Sequence, residues 1–510
     1  MSISPALSKN RSVITISVML ATIMQALDTT IANVALPRMQ GALSATQDQM
    51  SWVLTSYIVA AAITIPLTGW LANRYDRRLI FLISIAGFTI ASALCGVAEN
   101  LPQIVFFRLL QGISGAALVP LSQAILFDIN PPERHGSAMA AWGVGVTMGP
   151  ILGPALGGWL TENYNWRWVF YINVPIGILA FLGLLFFLPK KAGNHANRFD
   201  FFGFITLSLA MGALQMMMDR GELKGWFSSP EIITETIVLA LSLYLFVVHM
   251  FTHKRPFLNP ALFKDANFLT SNIFIFVVGV ALFATLALIP PMLQGLMNYP
   301  VVTTGLVTAP RGAGTMLAML VVGRLVGRFD ARWLMACGLV LTTISLWQMT
   351  QFSLLMDEWP MIISGVLQGF GVGLVYVPLS TVAFATLPTS LRNEGTAFFN
   401  LMRNMGSSIG ISMVQILLTQ NTQIMHASLA EKITNFNTAA QPALQAEHID
   451  LTNTSSLMLL NNEVTQQAAM IAYLNDFKLI MILTVALIPL LILLKKPQQR
   501  PSSDHPAVME

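Results

Sequence analysis

Charged residues and cysteine are both scarce in this sequence. Asp, Glu, Lys and Arg make up 10% of the 510 residues and hydrophobic residues make up 55%, whereas soluble domains carry roughly 25% charged residues. This scarcity excludes a water-soluble chain and leaves room for many membrane-spanning helices of about 20 residues each. Cys95 and Cys337 lie in apolar runs without nearby histidine, which indicates packing residues and no metal site.

Apolar runs bounded by charges or turn residues predict fourteen spanning helices, and hence an all-α polytopic membrane protein. They lie near residues 12–36, 49–72, 79–97, 102–127, 136–160, 168–188, 201–218, 232–251, 268–293, 303–326, 333–352, 360–385, 395–418 and 477–494. Most Lys and Arg fall on one side of these spans, which predicts that both termini are cytoplasmic. Topology therefore explains the net charge of +4 better than nucleic-acid binding does.

An internal repeat divides the chain into two halves. The run Gly69–Arg78 recurs as Gly323–Arg332, and the Leu-Gln-Gly pattern around Gln111 recurs around Gln368. We predict one six-helix bundle in residues 1–189 and another in 266–510, with cytoplasmic linkers and two inserted helices in 190–265. Two parallel halves around a central site are typical of transporters. The polar stretch 420–475 is the one long connection, and the topology places it outside the cytoplasm.

Asp28 lies deep in the first apolar run, where an unpaired ionised carboxylate is costly, so we expect it to pair, to face water or to bind a proton. Arg108 is a second embedded charge with Gln111 on the same helix face, and its field can set whether Asp28 releases the proton. The alternatives are an interhelical hydrogen-bond clamp for Asp28 and a side chain that snorkels from a helix end for Arg108.

Further polar residues inside the spans are candidates for lining a substrate cavity, and interhelical hydrogen bonding is the alternative for each. They are Gln25, Thr29, Asn33, Gln111, Gln123, Gln368, Asn400 and Arg403. Arg311 also falls within a second-half span, where it could meet an anionic group or reach a membrane boundary. No nucleotide-binding loop, metal site or nucleophile constellation occurs, so we predict that the chain is not an enzyme and holds no cofactor.

Two patterns indicate conformational roles. The basic turn and its repeat could pair with helix ends or acids in one conformation, and so act as a gate, or could simply anchor the topology. The candidate gating residues of the turns are Gly69, Arg74, Asp76, Arg77, Arg78, Arg328 and Asp330. The fifth span repeats small residues beside prolines, which predicts close packing and a kink that could serve as a hinge or seal. These residues are Gly149, Gly153, Pro154, Gly157 and Gly158.

These motifs resemble the major facilitator superfamily and, within it, the fourteen-helix drug:proton antiporters. The basic turn is similar to the family's signature loop, Arg108 with Gln111 to its fourth-helix motif, and the small residues of the fifth span to its antiporter motif. The segments Leu27–Pro37 and Trp166–Gly177 resemble the fourteen-helix group. The resemblance implies proton-coupled export of lipophilic or amphipathic compounds by alternating access, driven by the proton gradient across a bacterial inner membrane. It also implies a periplasmic adaptor of the membrane-fusion type, contacted by the stretch 420–475, and an outer-membrane channel.

The sequence departs from the family pattern in the signature loop. Asn73 and Gly327 stand where the family's acid is expected, and Asp76 and Asp330 replace a customary glycine. The tenth span lacks the acid expected of exporters of divalent cations, which favours monovalent, weakly charged or anionic lipophilic substrates. Two alternatives stay open: export of an endogenous metabolite such as a siderophore, and a membrane receptor or scaffold without transport.

Overall fold

A computed structural model describes residues 5–45, 47–190, 199–326, 328–433 and 453–494. Its regular secondary structure is helical throughout these ranges, because a chain in lipid must satisfy its backbone hydrogen bonds internally. The α-helices, numbered in chain order, are α1 Pro5–Leu43, α2 Gln47–Arg74, α3 Arg77–Val97, α4 Leu101–Gly115, α5 Leu118–Ile129, α6 His135–Asn163, α7 Trp168–Tyr171, α8 Asn173–Phe187, α9 Phe201–Lys224, α10 Pro230–Thr252, α11 Ala266–Pro291, α12 Val301–Leu325, α13 Ala331–Met349, α14 Trp359–Ala385, α15 Arg392–Ala430 and α16 Thr454–Leu487.

Each predicted span corresponds to a helix or to a pair of consecutive helices. α4 and α5 together form the fourth span, and α7 and α8 form the sixth. Within the described ranges, twelve helical spans are long and apolar enough to cross a membrane; α13 and α15 are not among them. The all-helical fold is confirmed, whereas the count of fourteen spans stays a prediction.

The two halves pack in the same way, as the sequence repeat requires. α2 contacts α4 in the first half, and α12 contacts α14 in the second. The halves meet where α2 lies against α15 and where α6 lies against α12. The inserted helix α9 contacts both α2 and α15, and α10 packs on α9. One inserted helix therefore lies along one of the two seams between the halves, and the other lies outside it.

The long connection between the last two spans contains more helix than the sequence predicts. α15 continues to Ala430, beyond the predicted end of its span at residue 418, and α16 begins at Thr454 rather than near residue 477. His426 Nε2 lies 3.1 Å from Asn461 Oδ1, which joins the two extensions. Ala, Leu, Gln and Met are good helix formers, so a polar composition here does not prevent helix. Residues 434–452 of the predicted loop lie outside the described residues.

Candidate functional site

Asp28 is the centre of a hydrogen-bonded cluster inside the N-terminal half. It belongs to α1 and is 0% exposed. Arg108 Nη1 donates to Asp28 Oδ2 at 2.6 Å. Asp28 Oδ1 accepts from Gln111 Nε2 at 2.8 Å and from Asn173 Nδ2 at 2.9 Å. Since Arg108 and Gln111 belong to α4 and Asn173 to α8, this one carboxylate joins three helices.

Arg108 is as deeply buried as its partner, at 1% exposed. Its Nη1 also donates to Gln111 Oε1 at 2.8 Å, and its Nε donates to the Val53 carbonyl at 3.0 Å. The guanidinium lies over the ring of Tyr57, 4.4 Å from the centroid. A buried ion pair is tolerated when further hydrogen bonds satisfy its remaining polar atoms. Arg108 therefore points into the bundle rather than snorkelling to a boundary, while its role in proton coupling stays a prediction.

A second layer of polar side chains holds the donors in place. Asn173 Nδ2 also lies 3.0 Å from Ser92 Oγ, and Ser92 donates to the Phe170 carbonyl at 2.8 Å. The thiol of Cys95 lies 3.7 Å from Gln111 Oε1, so this cysteine borders the site. Sequence reasoning did not assign Asn173 to the site. The signal that could have found it is an amide within the apolar sixth span.

The polar residues that share α1 with Asp28 divide into two groups. Gln25 Nε2 donates to Tyr57 Oη at 3.1 Å, so it touches the ring that lies under Arg108. Thr29 instead donates to the Ala26 carbonyl of its own helix at 2.9 Å. Asn33 is exposed and lies 3.4 Å from the Thr29 carbonyl. The structure brings Gln25 to the site, whereas the side chains of Thr29 and Asn33 bond to main-chain carbonyls of α1.

The remaining candidate cavity residues lie elsewhere. Asn400 Nδ2 donates to Gln123 Oε1 at 2.7 Å, and both residues are buried, so they link α15 to α5 across the two halves. Arg403 Nη1 donates to Tyr376 Oη at 3.4 Å. Gln368 lies within the C-terminal half, between α14 and α11. Asn400 and Gln123 thus occupy the interface that a transport cycle would have to rearrange.

The basic turn after α2 is anchored to neighbouring helices. Arg77 Nη1 donates to Asp128 Oδ2 of α5 at 2.7 Å. Arg78 donates to the Leu185 carbonyl near the C-terminal end of α8. An acid and a helix C-terminus are both favourable partners for a cation. Sequence reasoning expected such partners but did not identify Asp128.

The two aspartates of the turns serve a local structural purpose. Asp76 caps the N-terminus of α3, and Asp330 caps that of α13; each accepts from the backbone N–H two residues later, at 3.0 and 3.1 Å. An aspartate is among the preferred helix N-caps, which explains why it occurs in both copies. Arg74 lies over the indole of Trp70, 5.4 Å from the centroid, and Arg328 is exposed. A gating role for these residues stays a prediction.

The turn also contacts the opposite half, where its partners are residues that the sequence did not single out. Asn73 Nδ2 donates to Glu394 Oε1 of α15 at 3.0 Å, and Asn393 Nδ2 donates to Asn73 Oδ1 at 2.6 Å. At Gly69 a Cβ atom would lie 3.0 Å from the Cα of Glu394, so the backbones of α2 and α15 approach closely. The acid missing at Asn73 is therefore supplied from the other side of the interface.

The small residues of α6 pack against α1, which carries Asp28. A Cβ at Gly149 would collide with the backbone of Ala26, and one at Gly153 would collide with the side chain of Thr30. Thr30 Oγ1 donates to the Gly149 carbonyl at 3.0 Å. Gly157 is buried, whereas a Cβ at Gly158 would meet no atom within 4 Å. Pro154 lies within α6 next to these glycines. Close packing is thus confined to one part of the small-residue run.

Chemically, the cluster around Asp28 is a buried ion pair surrounded by amide donors. It contains an acid, a permanent cation and neutral amides, and no group of three His, Cys, Asp or Glu side chains in the described ranges could hold a metal ion. Buried ionisable groups in membrane spans are usually functional. Together with two repeated helical halves, this site defines a class of protein, namely a multi-pass membrane transporter.

Comparison with known proteins agrees with that class. The family model described as Major Facilitator Superfamily matches residues 18–411, and the chain belongs to this superfamily. It is 36% identical to the Multidrug export protein EmrB of Escherichia coli (strain K12) over 467 residues, a match that covers 90% of each chain. It is 35% identical over 494 residues to the Fatty acid resistance protein FarB of Neisseria gonorrhoeae, covering 96% of this chain and 97% of FarB. The predictions of a transporter, and of no enzyme, are confirmed by this membership.

A solved structure supports the fold independently of sequence. The human organic anion transporter MFSD10 (TETRAN) superimposes with a TM-score of 0.60, covering 94% of this chain and 100% of that one. The sequence identity is 13%, so this likeness establishes the shared fold alone.

Proposed function

We propose that this chain is a proton-coupled exporter that moves amphipathic or hydrophobic compounds out of the cytoplasm by alternating access. The observation that carries the proposal is Asp28, a fully buried carboxylate that holds Arg108, Gln111 and Asn173 together. Protonation removes the negative charge that pairs with Arg108. The ties between α1, α4 and α8 then weaken, and the N-terminal half can rearrange.

The proposed class of substrate follows from the relatives and from the composition of the spans. EmrB is named as a multidrug export protein and FarB as a fatty acid resistance protein, and fatty acids are lipophilic small molecules. Such compounds partition into the inner leaflet of the membrane and the cytoplasm. The proton gradient is the proposed energy source, with no bound cofactor.

The proposed location is a bacterial inner membrane with both termini in the cytoplasm, supported by the distribution of Lys and Arg. A periplasmic adaptor and an outer-membrane channel are proposed partners. The extensions of α15 and α16 beyond the predicted spans provide a helical surface on the predicted periplasmic side. An adaptor that binds this surface would pass exported compounds on to the channel.

Inverted membrane vesicles test the coupling and the orientation together, because their cytoplasmic face points outward. We expect an acidic lumen to drive uptake of a lipophilic fluorescent drug by the native protein. Asp28→Asn should reduce this uptake to the level of vesicles that lack the protein, since the variant side chain cannot exchange a proton. If Asp28→Asn still shows uptake that depends on the pH gradient, the proposal is wrong.

Asp476→Asn is the matched control for this experiment. Asp476 in α16 is 1% exposed, so it is as buried as Asp28, but its carboxylate has no hydrogen-bond partner among the described residues. The substitution removes a buried acid without breaking an ion pair. We expect it to retain gradient-driven uptake, and a loss of uptake in both variants would assign the effect to any buried acid rather than to the Asp28 site.

A further inference from the structure

The C-terminal half contains a copy of the Asp28 site in which the acid is replaced. Gln368 occupies the place of Gln111 in the sequence repeat. Gln111 Nε2 donates to Asp28 Oδ1 in α1, and Gln368 Nε2 donates to Thr285 Oγ1 in α11 at 3.0 Å. α1 and α11 are the first helices of their halves. Thr285 therefore stands where Asp28 stands, and a hydroxyl replaces the acid.

The arginine of the site is retained in the second half, but it comes from the facing helix. Three residues before each glutamine stand Arg108 in α4 and Gly365 in α14. Arg311 in α12 is the counterpart of Tyr57 in α2, since each lies twelve residues before the first glycine of the repeated turn. Arg108 lies over Tyr57, and a Cβ at Gly365 would lie 3.5 Å from Cβ of Arg311. In the second half the arginine thus stands on the helix equivalent to α2, and a glycine takes its place on the helix equivalent to α4.

Arg311 differs from Arg108 in having no acid. It is 6% exposed, and its Nη2 donates to the Leu282 carbonyl at 3.1 Å. Its Nε and Nη1 have no hydrogen-bond partner among the described residues, and no described carboxylate forms a salt bridge with it. A guanidinium stays protonated in proteins, and burying an unpaired charge is strongly unfavourable. The second half thus contains a charge without its counter-ion.

We propose that Arg311 binds the anionic group, chiefly a carboxylate, of an amphipathic substrate. This inference rests on the proposed transport function and specifies the class of substrate. Two free guanidinium nitrogens can donate to a carboxylate with charge-assisted hydrogen bonds. The helix that carries Arg311, α12, contains no Asp or Glu. The proton site and the anion site then occupy equivalent places in the two halves.

The arrangement also separates the two tasks of an antiporter. In the N-terminal half the counter-ion of the arginine is part of the chain, so the ligand of the site is a proton on Asp28. In the C-terminal half the counter-ion is absent from the described chain, so the ligand is an anion. Substrates that lack a negative charge would make no use of Arg311 and would bind through apolar contacts alone.

Direct binding tests this inference without a proton gradient. The full-length protein in lipid nanodiscs is titrated with 2-naphthoate and with 2-naphthamide, which have the same ring system but differ in charge. Arg311→Gln should weaken binding of naphthoate by about tenfold or more, the effect of losing one charge-assisted contact, and leave naphthamide unchanged. Arg311→Lys should restore part of the affinity. Arg255→Gln, which removes an exposed arginine between α10 and α11, should change neither ligand.

Several results would overturn the inference. An equal loss of both ligands in Arg311→Gln would indicate a packing role, and unchanged naphthoate binding would remove Arg311 from the site. Displacement of naphthoate by chloride at equal concentration would indicate a site for small inorganic anions. Because the assay needs no transport, failure of proton coupling in the vesicle experiment would leave these results interpretable.

Discussion

At the scale of single residues, the buried charges of this protein fall into two kinds. Asp28 and Arg108 satisfy each other and are surrounded by amide and carbonyl partners. Arg311 and Asp476 are also buried, yet they have no charged partner among the described residues. A paired buried charge stabilises one arrangement of helices, whereas an unpaired one requires a ligand or a proton. Arg311 can meet this requirement with a ligand, and Asp476 can meet it by remaining protonated, without a part in transport.

Arg108→Gln should destabilise the protein, because it leaves Asp28 buried without a counter-ion. Breaking a buried ion pair from one side typically costs about 3–5 kcal/mol. The double variant Asp28→Asn with Arg108→Gln should regain most of that loss, since neither charge remains. The measurement is thermal unfolding in detergent at neutral pH. A double variant no more stable than Arg108→Gln alone would show that the guanidinium acts through packing on Tyr57 rather than through its charge.

At the scale of elements, the glycines of α6 show that a repeated motif need not act along its whole length. Gly149 and Gly153 let α6 approach α1, the helix of Asp28, whereas Gly158 faces open space. Movement of α1 after protonation would have to pass through this contact. The spacing of small residues alone does not show which of them lie at the contact with α1. That depends on how α6 is rotated, which brings Gly149 and Gly153 against Ala26 and Thr30.

Gly149→Ala and Gly158→Ala form a matched pair on α6. The first introduces a methyl group against the backbone of Ala26, which cannot move aside as a flexible side chain can. We expect Gly149→Ala to lower the unfolding temperature and strongly reduce gradient-driven uptake. Gly158→Ala should leave both unchanged or raise stability slightly, because alanine is the better helix former by about 1 kcal/mol. Similar behaviour of the two variants would contradict the contact between α6 and α1.

At the scale of the whole molecule, the described polar contacts between the halves include a group at the end predicted to be cytoplasmic. Asn73 and Asn393 join Glu394 there, and Arg392 Nη1 lies 3.8 Å from Asp128, which also pairs with Arg77. An acid of the opposite half, Glu394, thus lies next to Asn73, the position at which the family pattern has its own acid. These contacts form a polar latch, defined here as Asn73, Asp128, Arg392, Asn393 and Glu394, between α2, α5 and α15.

The latch should respond to pH through Glu394, which lies one residue before the predicted thirteenth span. Burial raises the pKa of Glu394 from 4.5 to about 7, although the hydrogen bond from Asn73 opposes this. The closed latch therefore favours the protonated acid. When the latch opens and Glu394 meets water, its pKa falls back, so the closed state loses stability as pH rises from about 4.5 to about 7 and changes little above that.

Distances between spin labels on the cytoplasmic ends of the two halves, measured at pH 5 and pH 8, test whether the latch opens as the pH rises. The native protein should shift toward greater separation at pH 8, and Glu394→Gln should show a smaller shift because its side chain does not titrate. Glu133→Gln, which alters an exposed acid in the same region, should behave like the native protein. A shift of equal size in Glu394→Gln would assign the whole pH response to Asp28 or another group.

Much of the fold of this protein can be predicted from its sequence alone, because the free-energy cost of exposing backbone and charge to lipid acts on each segment separately. That cost determines the helices and identifies Asp28 and Arg108 as the residues that need an explanation, and the recurring motifs divide the helices into two halves. The tertiary structure decided which donors reach Asp28, that Asp76 and Asp330 cap helices, that Glu394 lies against Asn73, and that Arg311 has no counter-ion among the described residues. These depend on how each helix is rotated and which helices face one another. Spacing along a single helix determines neither of these, since contacts such as Asn173 with Asp28 join residues 145 positions apart.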